Sequence, residues 1–236
     1  MVTVPSPLDD AELLFHAPMG DVGALYDRAA YRYDHFRDLW LRLAGARAEQ
    51  GLLDDLRHAL HPGATVLDAG CGTGALARQV LAIEPTAQLT LLDLSPRMLA
   101  KADDVPGDHI IGSVLDLPFP DNSFDIVLSG WVIETVPDPI AAVAEYLRVI
   151  NPGGSVLYTF CSLPQGFFSR AGSAWLRGAV KRGFAGQFLP EESTPWHDCD
   201  RSHRLSTHGG LATQIALAKC CTVAPQPVPS GSVAAQ

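Results

Sequence analysis

Positive charge is in short supply. The 236 residues include 17 lysines and arginines against 26 aspartates and glutamates, a formal net charge of -9. So acidic a chain repels phosphate backbones, which excludes nucleic acid as the expected partner. The one dense basic stretch, around Arg170, Arg177, Lys181 and Arg182, reads as an exposed helix face. Cysteine is scarce too. Cys71, Cys161, Cys199, Cys220 and Cys221 show no CxxC spacing and no paired framework, so reduced thiols are expected rather than a disulfide scaffold. Long apolar runs are missing. The uncharged stretch from Val149 to Ser169 is broken by Pro152, Gly153, Gly154, Pro164 and Gly166, a poor membrane span. The first residues show neither a basic n-region nor an apolar h-region, so a cytoplasmic protein without stable membrane insertion is expected. What the composition does supply is 47% hydrophobic residues. That is enough for a real core, and the length fits one α/β domain with a small lid.

The chain reads in segments. Leu25, Ala29, Tyr33, Phe36, Trp40 and Leu43 recur at helical spacing, and Leu52, Leu53, Leu56 and Leu60 mark a second helix ending before Pro62-Gly63. From Thr65 short apolar runs alternate with helical stretches. The runs are 65–67, 89–92, 110–111, 126–128 and 156–160, and the helices 75–83, 96–101 and 139–149. Ser95 before Pro96 and Asp138 before Pro139 are helix starts. Strands alternating with helices predict a parallel sheet covered on both faces. Residues 169–184 read as helix, 185–202 as loop, and 204–207 with 212–219 as a β-hairpin around Gly209-Gly210. The expected fold is therefore a doubly wound, Rossmann-like, seven-stranded and mostly parallel sheet with a C-terminal antiparallel hairpin and a helical lid. The expected divisions are an N-terminal arm and lid helices (1–61), a ligand-binding core (62–160), an insertion (161–202), the hairpin (203–224) and a disordered tail (225–236).

The most informative stretch is Val66-Leu67-Asp68-Ala69-Gly70-Cys71-Gly72-Thr73-Gly74. It begins on a strand, turns through glycines and opens a helix, where the backbone must approach a ligand closely. A dinucleotide fingerprint would be GxGxxG, with a pyrophosphate on the helix N-terminus. Here the spacing is GxGxG and a carboxylate precedes it. Asp68 would repel a pyrophosphate but suits an ammonium group. Asp93, at the end of the next strand, can accept hydrogen bonds from both hydroxyls of a ribose. Gly112-Ser113-Val114 follows the third strand, across the switch point from the glycine turn.

These residues resemble the class I S-adenosylmethionine methyltransferases, in particular the group related to the ubiquinone/menaquinone C-methyltransferases. The resemblance covers roughly residues 62–160. It rests on the glycine motif, on DLSPRML from Asp93 to Leu99, on LDLPFPDNSFDIVLS from Leu115 to Ser129, and on LRVINPGGSVL from Leu147 to Leu157. It implies S-adenosylmethionine as cofactor, with Asp68, Gly70, Cys71, Gly72 and Gly74 at its methionine end and Asp93 at its ribose. Leu94 and Met98 would pack near the adenosine. Ser113 and Val114 would meet the adenine, and Ser129 would lie near the methyl group. The family usually has Asp where Ser113 stands, which leaves Asp116 as an alternative acceptor for the adenine amino group. Tyr26, Asp27, Tyr31, Tyr33 and Asp34 look like the lid of the related enzymes, with Tyr26, Tyr33 and Trp131 as lid candidates over the acceptor; helical spacing puts Tyr33 on the packing face, which makes Tyr26 the better candidate.

Candidate acid–base residues are Glu134, His197 and His203. Glu134 either orients an acceptor or is an exposed carboxylate at a helix start. Trp196 to His203 has metal-binding residue types, but its spacing matches no standard zinc pattern, so no metal is expected. Phe167, Phe168, Trp175 and Phe184 suggest an apolar insertion over the acceptor. The expected function is methyl transfer to an oxygen, nitrogen or carbon nucleophile of a small apolar or aromatic metabolite. The alternatives are a protein or peptide methyltransferase, or a protein that binds the cofactor without transferring its methyl group.

Overall fold

The structure is a computed structural model, which describes residues 22–164, 167–184, 186–190, 201–207 and 210–219. Seven strands form one sheet in the order β3-β2-β1-β4-β5-β7-β6. They are β1 (Thr65–Ala69), β2 (Gln88–Asp93), β3 (Asp108–Ile111), β4 (Phe124–Gly130), β5 (Ile150–Cys161), β6 (Arg201–Thr207) and β7 (Ala212–Ala218). The first five run parallel, and β7 joins β5 antiparallel with β6 outside it. This is the expected mostly parallel sheet with an antiparallel hairpin. The hairpin strand Arg201–Thr207 starts earlier than expected, within the stretch read as loop.

Residues on successive strand positions bury on opposite faces, so a strand covered on both sides reads as a continuous apolar run. Val66, Leu89, Ile126 and Leu128 enter one core with Leu52, Leu56 and Val80. Leu67, Leu92 and Val127 enter the other with Val143, Tyr146 and Val149. The helices behind these faces are α3 (Ala46–Ala59) and α4 (Ala75–Ile83) on the first side and α6 (Pro139–Val149) on the second. α4 and α6 have the expected bounds. The short α5 (Pro96–Leu99) ends earlier than expected. Ser95 Oγ accepts the Met98 N–H at 3.1 Å, and Asp138 Oδ1 accepts the Ala141 N–H at 2.9 Å. Both caps satisfy helix donors that have no partner in the first turn.

The N-terminal helical stretch is divided where one face was expected. α1 (Val22–Ala29) and α2 (Tyr33–Trp40) are separated by a bend, and a π-turn, Leu41–Gly45, joins α2 to α3. In the insertion, α7 (Phe167–Gly172) and α8 (Ala174–Phe184) break at Ser173. Trp40, Ala44, Ala48, Cys161, Leu176 and Val180 form a third core that ties the N-terminal helices to the insertion. Trp175, expected to line an apolar acceptor wall, is instead 68% exposed. Among the described residues no helix is long and apolar enough to cross a membrane. The tail 225–236 lies outside the described residues.

Candidate active site

The chain leaves β1 towards β2 on one side, and β4 and β5 lie on the other. The loops after β1 and β4 therefore diverge, and this is where ligands enter open α/β sheets. A cavity of about 260 Å³ opens at this point. Its floor is Gly70, Gly72 and Gly130. Asp93, Leu94 and Met98 form one side, and Gly112, Ser113 and Val114 the end beyond β3. Tyr26 and Tyr33 close it from above, and Trp131 and Val132 from the β4 side.

Each floor element has a physical reason. Gly70 and Gly72 have φ of 75° and 54°, in the left-handed region where glycine carries no steric cost. A Cβ on Gly70 would stand 2.5 Å from Val132 Cγ2, so only glycine fits. The Gly70 and Cys71 N–H groups both donate to Leu92 O, at 2.7 and 3.0 Å, which ties the turn to the end of β2. Asp93 braces the same turn. Its Oδ2 accepts the Gly72 N–H at 2.8 Å and its Oδ1 the Ser95 N–H at 2.9 Å. Burial raises the Asp93 pKa, and these two donors act against the rise.

Asp68 is fully buried beside Arg37, Cys71 and Thr73, in a small recess that shares Tyr33, Gly70, Gly130 and Trp131 with the cavity. Its Oδ2 accepts the Ala77 N–H at 3.1 Å, while Oδ1 has no hydrogen-bond partner. Burial pushes its pKa up to about 7, with the Ala77 N–H acting in the opposite direction. A buried carboxylate oxygen without a donor is costly. It therefore suits a ligand that brings a cationic donor.

The two Tyr-Asp pairs work as units. Tyr26 and Tyr33 face the cavity edge to face, 5.9 Å apart. Their chain neighbours, half-buried Asp27 and exposed Asp34, point away from the cavity to the adjoining loops, since adjacent helical residues point about 100° apart. Asp27 Oδ1 accepts from Ser95 Oγ and from the Arg97 N–H, and Asp34 Oδ1 accepts from Thr73 Oγ1 at 2.6 Å. The lid is thus pinned to the two loops that shape the cavity. Spacing alone placed Tyr33 on a packing face; the bend after Ala29 turns it inward.

Trp131 has φ of 62°, which a bulky side chain adopts only when its surroundings hold it there. Its Nε1 donates to Glu49 Oε2 at 3.2 Å, while Glu49 Oε1 accepts from Arg37 at 2.6 Å. The ring meets Trp40 edge to face at 5.5 Å. Gly45 in the π-turn makes this possible, because a Cβ there would stand 2.7 Å from Trp40 Nε1. Sequence spacing did not reveal Arg37 or Glu49, since the π-turn sets their mutual register.

Glu134 is 3% exposed, not the solvated helix-start carboxylate that was one of its two expected roles. It lines a small recess behind Tyr26, Tyr33 and Trp131, with Arg37, Cys161 and Val180. Its Oε1 accepts the Cys161 N–H at 3.2 Å, and Oε2 has no hydrogen-bond partner. Burial pushes its pKa up to about 7.

Other expected site residues lie elsewhere. Ser129 is buried under the floor, where Oγ donates to Ala69 O at 3.0 Å and meets Tyr146 Oη at 2.9 Å. Strand alternation turns it to the α6 face. Gly74 caps α4 at φ 78° and packs on Ala102, away from the cavity. Asp116 does not line the cavity; Leu115 does. His203 sits on edge strand β6, with Nε2 3.0 Å from Asp55 Oδ2. The hairpin carries it two strands beyond β5, far along the sheet from the switch point. His197 and most of the Trp196–His203 stretch lie outside the described residues. Among those that are described, no cluster of potential metal ligands occurs.

Comparison with known proteins bears on this arrangement. Residues 67–158 match the methyltransferase domain family. The likeness spans β1 to β5, the core of this chain. The chain is 36% identical over 175 residues to a malonyl-[acyl-carrier protein] O-methyltransferase of Serratia marcescens, covering 72% of this chain and 62% of that protein. It is 40% identical over 114 residues to a demethylmenaquinone methyltransferase of Bacillus licheniformis, covering 44% and 48% respectively. The chain thus spans less than two thirds of the length of either relative. A solved S-adenosylmethionine-dependent methyltransferase of Thermotoga maritima shares the fold, with a TM-score of 0.60, 18% identity, and 84% and 99% of the two chains covered.

Proposed function

We propose that this chain transfers the methyl group of S-adenosylmethionine to a small-molecule acceptor. The observation that carries the proposal is the meeting of buried Asp68 and half-buried Asp93 around one lidded cavity system at the switch point. Asp68 keeps an oxygen without a hydrogen-bond donor. Such a site favours a ligand with cationic ends, and the cofactor has both an ammonium and a sulfonium.

The residues fit it in turn. Asp68 Oδ1 would take the ammonium, and Arg37 beside it would take the methionine carboxylate. Asp93 already uses each oxygen once on the backbone; a carboxylate has about four acceptor directions, which leaves room for two ribose hydroxyls. Leu94 and Met98 would pack on the adenosine, with Ser113 and Val114 at the adenine. When bound, the cofactor supplies an activated methyl group on sulfur. The protein then has to hold the acceptor in line with it, and orientation of this kind is worth roughly 7–11 kcal/mol of barrier. Tyr26, Tyr33 and Trp131 exclude water from the reacting end, and Trp131 gives a cation an aromatic face.

Calorimetric titration with S-adenosylmethionine and S-adenosylhomocysteine tests the proposal, followed by transfer of labelled methyl to small acceptors. Micromolar binding of both is expected. Absence of binding by the folded protein would overturn it.

A further inference from the structure

The recess behind Tyr26 and Trp131 has a shape and a charge that the cofactor does not explain. It holds about 20 Å³ of free space, close to the roughly 10–15 Å³ that one water needs. Its wall is aromatic and apolar on the Trp40, Trp131 and Val180 sides. Its one buried carboxylate, Glu134, keeps Oε2 without a hydrogen-bond donor. The cation that borders it, Arg37, is already paired with Glu49 at 2.6 Å and also borders Asp68.

We infer that this recess receives the reacting head of the acceptor, that the head is a single hydroxyl or amino group, and that Glu134 Oε2 accepts its proton. The inference rests on the proposed methyl transfer and names its substrate class. A carboxylate head is excluded twice over: it has three heavy atoms where one fits, and its charge would stand against buried Glu134. The acceptor is therefore an alcohol, phenol or amine whose frame lies in the adjoining cavity, against Tyr26, Tyr33 and Trp131, which line both spaces.

The step balances. A lone pair of the acceptor oxygen or nitrogen forms a bond to the methyl carbon while the carbon–sulfur bond breaks. Its electron pair returns the sulfonium to a neutral thioether. The acceptor proton passes to Glu134, which releases it to solvent when the lid opens. The groups facing Glu134 are Tyr26 and Tyr33 from the lid, Arg37 from α2 and the Cys161 thiol from β5. Burial holds both tyrosines and the thiol in their neutral forms at ordinary pH. Burial also places Glu134 near neutrality, where a general base is most effective.

Binding of simple head-group probes to the protein loaded with S-adenosylhomocysteine tests this directly. The probes are phenol, phenethylamine and malonate, each titrated by calorimetry. Phenol or phenethylamine should bind and malonate should not. Glu134→Gln should weaken the bound probe about tenfold while leaving S-adenosylhomocysteine affinity unchanged. Val180→Phe, which fills the recess from the opposite wall, should abolish probe binding and spare the nucleoside. For any phenol or amine that is methylated, kcat should rise with pH through about 7 and lose that limb in Glu134→Gln. Tighter binding of malonate, binding of none of the three, or indifference to both substitutions would overturn the assignment. Failure to bind S-adenosylhomocysteine at all would instead sink the proposed methyl transfer.

Discussion

Asp93 is the residue at which one substitution separates architecture from recognition. Its two oxygens hold the Gly72 and Ser95 N–H groups at 2.8 and 2.9 Å, and the proposed function adds two ribose hydroxyls. Hydrogen bonds to a charged group contribute about 1.5–3 kcal/mol each. Losing two to the ribose costs about 3 kcal/mol at the lower bound, or roughly a hundredfold in affinity. Asp93→Ala should therefore weaken S-adenosylmethionine, S-adenosylhomocysteine and adenosine alike by about a hundredfold or more, measured calorimetrically. It should also lower the melting temperature of the ligand-free protein, because two backbone donors lose their acceptor. Asp68→Asn is the control, since Asp68 lines the adjoining recess and not the cavity that Asp93 lines. It should weaken both methionine-bearing ligands and leave adenosine within about twofold. If Asp93→Ala melts lower but binds adenosine within about threefold of the unaltered protein, Asp93 is only a brace for the glycine turn and the ribose assignment is wrong.

Gly70→Ala should destabilise the fold by about 2 kcal/mol or more, from the left-handed φ of 75° and a Cβ 2.5 Å from Val132; urea midpoints should show only partial rescue by Val132→Ala, which removes the clash but not the strain. Removing the lid anchors in Asp27→Ala/Asp34→Ala should speed release of S-adenosylhomocysteine by up to about a hundredfold in stopped-flow tryptophan fluorescence, since three hydrogen bonds are lost and each contributes about 1 kcal/mol; an unchanged release rate would show that the lid closes without them. Burial raises Asp68 to about 7, so below that pH the acid must shed a proton to receive an ammonium. S-adenosylmethionine affinity should fall by up to about tenfold per pH unit below 7, and Asp68→Asn should remove the dependence. The same shift has a stability consequence with a definite sign. Asp68 and Glu134 are both raised from ordinary values near 4, so their protonated forms are favoured by folding. That contribution is complete below about pH 4 and is lost as pH rises towards 7, so Asp68→Asn should flatten the melting temperature of ligand-free protein across this window.

The cofactor half of the site was legible in sequence because its residues lie at the ends of consecutive parallel strands. Asp68, Gly70, Gly72 and Asp93 belong to loops whose position follows from strand–helix alternation. A buried parallel strand announces itself by being apolar on both faces. The limits of that reading are local and physical. Ser129 misled because one residue decides which face a strand end presents, and β4 continues far enough to point it at Tyr146. β5 begins at Ile150 and runs through Asn151-Pro152-Gly153-Gly154, a run that reads as a turn by composition. Tyr33 was placed on a packing face because periodicity assumes an unbroken helix, and the bend at 30–32 rotates α2 relative to α1.

The acceptor half was illegible for a different reason. Its recess draws on α1, α2, the segment after β4, β5 and α8, and of its polar groups Tyr33 and Arg37 stand at a helical spacing while Glu134 comes from far along the chain. Arg37 meets Glu49 across the π-turn, and Glu49 in turn holds Trp131 from far along the chain. Glu134 could be named from its place after β4. Its burial could not, because that depends on Cys161 and on the 186–190 segment, whose Gln187 N–H donates to Glu134 O at 2.9 Å. Side chains gathered from distant segments can change one at a time without disturbing the strand ends. The glycine turn cannot, since Gly70 is fixed by Val132 and Gly72 by Asp93. Methyl-donor binding can therefore persist in a chain whose acceptor differs from that of its relatives, and residues of the recess, not those of the glycine turn, are where acceptor choice should respond to substitution.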